Sequence, residues 1–308
     1  MMRFRPGGHA CALLLVLLMT ALTSGCIKRY AINRLGDALA SSGSTFASDD
    51  DPDLIQDAVP FSLKLIETLL AESPRHRGLL FAAASDFTQY AYAFVHQEAD
   101  ELEEQDLDKA LALRARARRL YLRARDYGLR GLEVRYRGFG GAIRANPKSA
   151  VAAARPSDVP LLYWTAASWG LAISVSKDVP DLVADQPQVE ALIDRALALD
   201  EDYDFGAIHS FLVTYESSRL AGEGEFADRS RKHFQRAMEL SGGKLASPLV
   251  ALAETVSVHQ QNRKEYQSLL EQALAIDADS KPEWRLNNLV TQRRARWLLK
   301  RTDQLFVE

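Results

Sequence analysis

Few residues in this sequence have the type and spacing for chemistry, and Cys26 is the first of them. It closes the run Leu22, Thr23, Ser24, Gly25, Cys26, in which small residues lead up to a nucleophilic thiol. Cys11 is the only other cysteine, so removal of a leader ending before Cys26 leaves one thiol and no disulfide. The histidines beyond that leader are His76, His96, His209, His233 and His259, none three or four residues from another, and no HExxH, CxxC, GxSxG or phosphate-loop pattern is present. His96, Glu98 and Asp100 alternate along the chain and so do not share a helix face. The run Asp49, Asp50, Asp51, Pro52, Asp53 lacks the Gly and the distant Glu of a calcium loop, and capping of the next helix is the better account. The sequence therefore predicts no catalytic residue, no metal site and no cofactor, and reads as a protein that is not an enzyme.

The residues ahead of Cys26 say how it is delivered. Arg3 and Arg5 precede an apolar run from Ala10 to Leu22, shorter than the roughly 20 residues that a membrane-spanning helix needs. This pattern predicts a secretion signal over residues 1–25. Its end resembles the bacterial lipobox, with Thr23 where that motif usually has Leu. The resemblance implies cleavage before Cys26 and attachment of acyl chains such as palmitate, which together hold a protein on a membrane where one chain alone is marginal. Ile27 after the cysteine, in place of Asp, favours the outer membrane over the inner one.

Two further groups of residues are suited to binding. The stretches Leu79 to Val95 and Val159 to Ser176 are apolar on all sides, the first with Asp86 as its only charge and the second with none. Such helices are buried all round or line an apolar cavity. Phe81, Phe87, Tyr90, Phe94, Tyr163, Trp164 and Trp169 are the candidates to line a pocket or pore for a hydrophobic small molecule, and a well-packed core is the alternative. Residues 98–108 carry seven acids and no base, whereas residues 114–137 carry nine arginines against Asp126 and Glu133. Arg114, Arg116, Arg118, Arg119 and Arg123 are the candidates to dock an acidic partner protein, the alternative being a solvated face bridged to the acidic run. With 38 basic and 41 acidic residues in 308, the net charge of −3 gives no basis for a nucleic-acid partner.

The elements that must position these residues are helices. Strand and hairpin signals are absent, and four segments align without gaps: LYLRARDYG (120–128), LIDRALALD (192–200), HFQRAMELS (233–241) and LLEQALAID (269–277). Their shared alanines, Ala124, Ala196, Ala237 and Ala273, lie 72, 41 and 36 residues apart, near multiples of the about 34 of a tetratricopeptide (TPR) repeat with insertions. A small residue at that place lets two helices cross closely. The pattern predicts an all-α, TPR-like array of helical hairpins, an α-solenoid, over 53–308. Its helices are expected at 79–97 with 107–129, 160–176 with 187–199, 204–219 with 226–240, and 246–260 with 263–276. A closing helix from Trp284 to Phe306 is expected to start on a capping box of Ser280 and Glu283. Residues 131–157 read as an irregular insertion, and 26–52 as a lipidated N terminus with a helix at 30–40 and a linker at 41–52.

Several long blocks, among them DDDPDLIQDAVPFSLKLIETLLAESPRHRGLL, AAASDFTQYAYAFVHQEAD, RARRLYLRARDYGLRGLE, DVPLLYWTAASWGLAISVSKD and EWRLNNLVTQRRARWLLKR, resemble the T-component lipoproteins of tripartite ATP-independent periplasmic (TRAP) transporters, called TatT. The resemblance implies a periplasm-facing lipoprotein that forms a homotrimer, associates with the solute-binding subunit of a TRAP uptake system and handles a hydrophobic ligand through a cleft or pore. A stand-alone carrier of hydrophobic molecules and a TPR scaffold for envelope assembly remain as alternatives.

Overall fold

A computed structural model describes Arg34, residues 43–219 and residues 224–307. Cys26, and all but Arg34 of the helix expected at 30–40, lie outside the described residues. Every regular element among the described residues is helical.

The chain order follows from local chemistry. Helix α1 (Gly43–Ala47) occupies part of the stretch expected as linker. The next, α2 (Pro52–Glu72), is capped by Asp51, whose carboxylate accepts from the amides of Asp53 and Leu54, with Pro52 where a missing N–H costs nothing. The imidazole of His76 caps α3 (Arg77–Tyr90), which continues through a π-helical segment, Ala91–His96, into α4 (Gln97–Leu102). Asp106 caps the long α5 (Leu107–Glu133), which returns against α3.

Residues 131–157 are not irregular. Helix α5 runs to Glu133, whose carboxylate accepts from the amides of Gly138 at 2.5 Å and Gly140 at 3.1 Å and so starts α6 (Phe139–Ala145). The side chain of Asn146 accepts from Ser149 N at 3.1 Å, with Pro147 behind it, and starts α7 (Pro147–Val151). A reading by periodicity passes over helices this short.

Next come α8 (Val159–Ser174), the short α9 (Pro180–Val183), α10 (Gln186–Leu199), α11 (Tyr203–Tyr215), α12 (Phe226–Ser241), α13 (Ser247–Leu252) with a π segment Ala253–Ser257, and α14 (Arg263–Ala275). The closing helix is shorter than its sequence suggests. Lys281, forced extended by Pro282, breaks the chain at φ −143°, so the Ser280–Glu283 capping box does not form and α15 runs only over Arg285–Lys300, before α16 (Thr302–Leu305).

Helices adjacent in sequence pack as hairpins, α5 against both α3 and α8, α8 against α10, and α11 against α12. The four repeat alanines, Ala124, Ala196, Ala237 and Ala273, are all fully buried. At the α5–α8 crossing the approach is closer still, since a Cβ on Gly128 would lie 2.1 Å from Thr165 Oγ1. Two apolar cores result. One spans α2 to α11 and the other gathers α12 to α15, with α15 entering both, Leu286 and Val290 against the first and Ala295 and Leu298 in the second. That helix also brings the end of the chain back to its beginning. Arg285 donates to Ser48 O at 2.9 Å, Arg293 lies 3.1 Å from Glu101, and Arg301 lies 2.7 Å from Glu104.

Candidate functional site

Helix α3 is apolar in sequence yet not buried on every side. Phe81, Asp86, Gln89, Tyr92, His96 and Asp100 keep accessible surface while Leu79, Leu80, Ala83, Ala84, Ala91 and Val95 have none.

Tyr92 is 42% exposed, the most accessible aromatic of helices α3 to α5 and the π segment within them. Burial by surrounding protein nevertheless pushes its phenol above the ordinary value, with the Glu254 carboxylate adding to the effect. Glu254 and Arg294, from the π segment after α13 and from α15, lie close enough to act on it electrostatically.

The groups around it are held by charge. Arg294 reaches Asp100 at 3.1 Å and Glu254 at 2.7 Å. Burial works against its charge, but the two carboxylates outweigh that and hold the guanidinium more firmly protonated than usual. The Nδ1 of His96 lies 3.1 Å from the Tyr121 hydroxyl, and burial lowers the imidazole below its usual value despite Asp100 nearby. His96 is therefore neutral at pH 7. Asp86 differs from these acids. Its one hydrogen bond is from its neighbour Ser85, at 2.7 Å, and burial raises its carboxyl to about 6.

The seven aromatic candidates lie mostly in the first core. Phe87, Tyr90, Phe94, Tyr163 and Trp169 are buried, and only Phe81 and Trp164 keep a partly accessible edge. Trp169 is fully buried, its indole donating to Asp185 at 3.1 Å, with Arg125 5.0 Å from the ring centre. Phe87 stacks on Tyr127, and Tyr163 meets Trp164 edge-on and leans on Tyr203. Fully buried rings of this kind contribute packing.

The arginine candidates divide. Arg114 forks onto Glu103, both bonds 2.8 Å, and also reaches Asp100, so it belongs to the acidic turn. Arg116 donates to the Tyr90 hydroxyl at 3.2 Å, and Arg118 is half-buried. Arg119 is exposed, and Arg123 lies over Phe87 and 3.5 Å from Glu67. Arg119, Leu122, Arg123, Asp126, Tyr127 and Arg130 line an open groove of about 380 Å³.

Sequence reasoning missed two juxtapositions. His209 and His233, which are 24 residues apart, meet at 2.8 Å between their Nδ1 atoms. Arg294 meets Asp100 across most of the chain. Neither pair has a spacing that marks it. The lone charge of Asp86 in an apolar helix was a signal that the sequence did carry. Among the described residues no group of three or more His, Cys, Asp or Glu side chains is placed to hold a metal ion. No described helix is long and apolar enough to cross a membrane.

Among the described residues the chain is all-helical, its helix α15 returns to α4, and arginines of α5 line an open groove. The chain belongs to the TRAP transporter T-component family, which matches residues 48–306. That family is a transport accessory of the cell envelope and not a family of enzymes. An uncharacterized protein of Treponema pallidum (strain Nichols) is similar, 27% identical over 309 aligned residues covering 93% of this chain and 95% of that protein.

Proposed function

We propose that the protein is a lipid-anchored accessory component of a TRAP uptake system that docks the periplasmic solute-binding subunit on the arginine stripe of α5. On this reading residues 1–25 are removed, Cys26 carries the acyl chains, and residues 53–308 form one TPR-like solenoid that faces the periplasm from the outer membrane as a homotrimer. Beyond family membership, the observation that supports docking is the groove in which Arg119, Arg123 and Arg130 share one side of α5, with Asp126 the only acid lining it. A stripe of one sign sets encounter rate and register with an acidic partner and weakens with salt.

The test is native mass spectrometry of the lipidated protein with the solute-binding protein encoded beside it. A complex that Arg119→Glu with Arg123→Glu abolishes, and that added salt weakens, supports docking. A complex indifferent to both changes overturns this surface, and no complex at all overturns the accessory role.

A second reading, passage of a hydrophobic ligand, rests on the exposed ring of Tyr92 and on Phe81 and Trp164, the two sequence candidates that keep accessible edges.

A further inference from the structure

Helix α2 carries a row of apolar side chains that the described residues leave uncovered. Leu54, Ala58, Phe61 and Leu65 follow one another at four, three and four residues, so they stand on one side of the helix. Phe61 is 74% exposed, the most exposed ring among the described residues, Leu54 is 57% exposed, and Ala58 and Leu65 keep accessible surface. The buried side of α2 packs instead against α3 and α15. Single exposed apolar residues are ordinary, but a row at this spacing is a seam along which one helix packs on another. Charge selects the occupant further. Residues 49–57, at the start of α2, hold five aspartates and no base, which favours a basic partner.

The chain supplies such a segment immediately ahead. Residues 27–40, of which only Arg34 is described, read IKRYAINRLGDALA. At helical spacing Ala31, Ile32, Leu35, Ala38 and Leu39 share a stripe of about 120°, and Lys28, Arg29 and Arg34 outnumber Asp37. Helix α1 fixes where this segment joins the body, since Arg285 donates to Ser48 O at 2.9 Å and four residues separate α1 from α2. A helix over residues 27–40 spans about 21 Å, and the stretch from Leu54 to Leu65 spans about 18 Å. A segment folded back along α2 therefore covers the seam from end to end.

We propose that residues 27–40 pack antiparallel along α2 on the seam of Leu54, Ala58, Phe61 and Leu65, so that Cys26 is held against the body and not on a free tether reaching roughly 50 Å. The docking stands by itself, and only its effect, a fixed height of the body above the membrane, rests on the lipid-anchor reading.

The experiment is hydrogen exchange read by mass spectrometry on residues 26–308 carrying Cys26→Ser, at two protein concentrations. An isolated helix of this length is marginal in water, so protection of residues 27–40 reports docking. Exchange there is expected to be at least tenfold slower than in an unstructured chain at both concentrations, and Leu54→Asp with Phe61→Asp is expected to remove that protection. Both side chains are exposed, so the double variant folds, and unchanged exchange in α5 checks this. Exchange of residues 27–40 at the unstructured rate overturns the proposal, as does protection that survives the double substitution. Protection of the α2 seam that appears only at the higher concentration overturns it in favour of a second copy of the chain. Failure of the lipidated protein to float with phospholipid vesicles removes the lipid anchor and leaves the docking standing.

Discussion

The guanidinium of Arg294 lies 3.1 Å from the carboxylate of Asp100, and this contact joins the last long helix to the first hairpin. Trp297 prepares it. Arg294 lies 4.4 Å and Arg301 4.5 Å from the ring centre, so one indole supports the two arginines that hold Asp100 and Glu104. Stacking of this kind lowers the entropy lost when a long side chain commits to an ion pair.

Loss of Arg294 is therefore expected to be more costly than loss of its neighbours. Arg294→Met strands Glu254 and takes one of two partners from Asp100, which is expected to cost about 3 kcal/mol. Arg293→Ala, at a half-exposed pair, is expected to cost under about 1 kcal/mol. Urea unfolding of the two variants checks the ranking.

Acid is expected to weaken the α11–α12 contact. Burial, with His209 beside it, lowers His233 to about 4, and burial lowers His209 in the same direction. Both folded values lie below the unfolded value near 6.5. The stability they confer is thus fully present above pH 6.5 and is lost as pH falls towards 4, by on the order of 2 kcal/mol in all. His233→Gln, which cannot charge, is expected to flatten thermal melting between pH 7.5 and 5.

The carboxyl of Asp86 works in the opposite sense. Burial raises it from 3.8 to about 6, so the folded state is favoured while the group is protonated and loses stability as pH rises through 6. Wild-type protein is expected to lose roughly 2 kcal/mol from this group between pH 4 and pH 7. Asp86→Asn removes that loss, and its melting temperature is expected to exceed the wild-type value at pH 7.5 and to match it at pH 4.

Two glycines are expected to respond oppositely to alanine. Gly128→Ala drives a Cβ to 2.1 Å from Thr165 Oγ1 at the α5–α8 crossing and is expected to destabilise by about 2 kcal/mol. In α6 a Cβ on Gly140 meets nothing within 4 Å, so Gly140→Ala is expected to stabilise by about 0.5 kcal/mol. Chemical denaturation midpoints of the pair provide the comparison.

The helices were legible in the sequence because they depend on short-range regularities. Apolar spacing placed α5, α10, α12 and α14 within a few residues, and the alanines aligned at 124, 196, 237 and 273 are all fully buried. Less legible were the elements set by one side chain reaching a nearby amide, such as α6 started by Glu133 and α7 started by Asn146. The break at Lys281 needed the conformation ahead of Pro282 to prevail over a capping motif.

By itself the sequence determined that the chain is helical and which family it joins. Tertiary structure decided which charges are spoken for and which face of α3 solvent reaches. Arg114 and Arg119 are equivalent on paper, yet one is forked onto Glu103 and the other lines an open groove. Asp86 and Asp100 lie 14 residues apart, yet Arg294 balances only the second. The physical reason is that helix formation is settled within a turn or two of chain, whereas the meeting of Arg294 with Asp100 depends on small rotations added up across every hairpin between them.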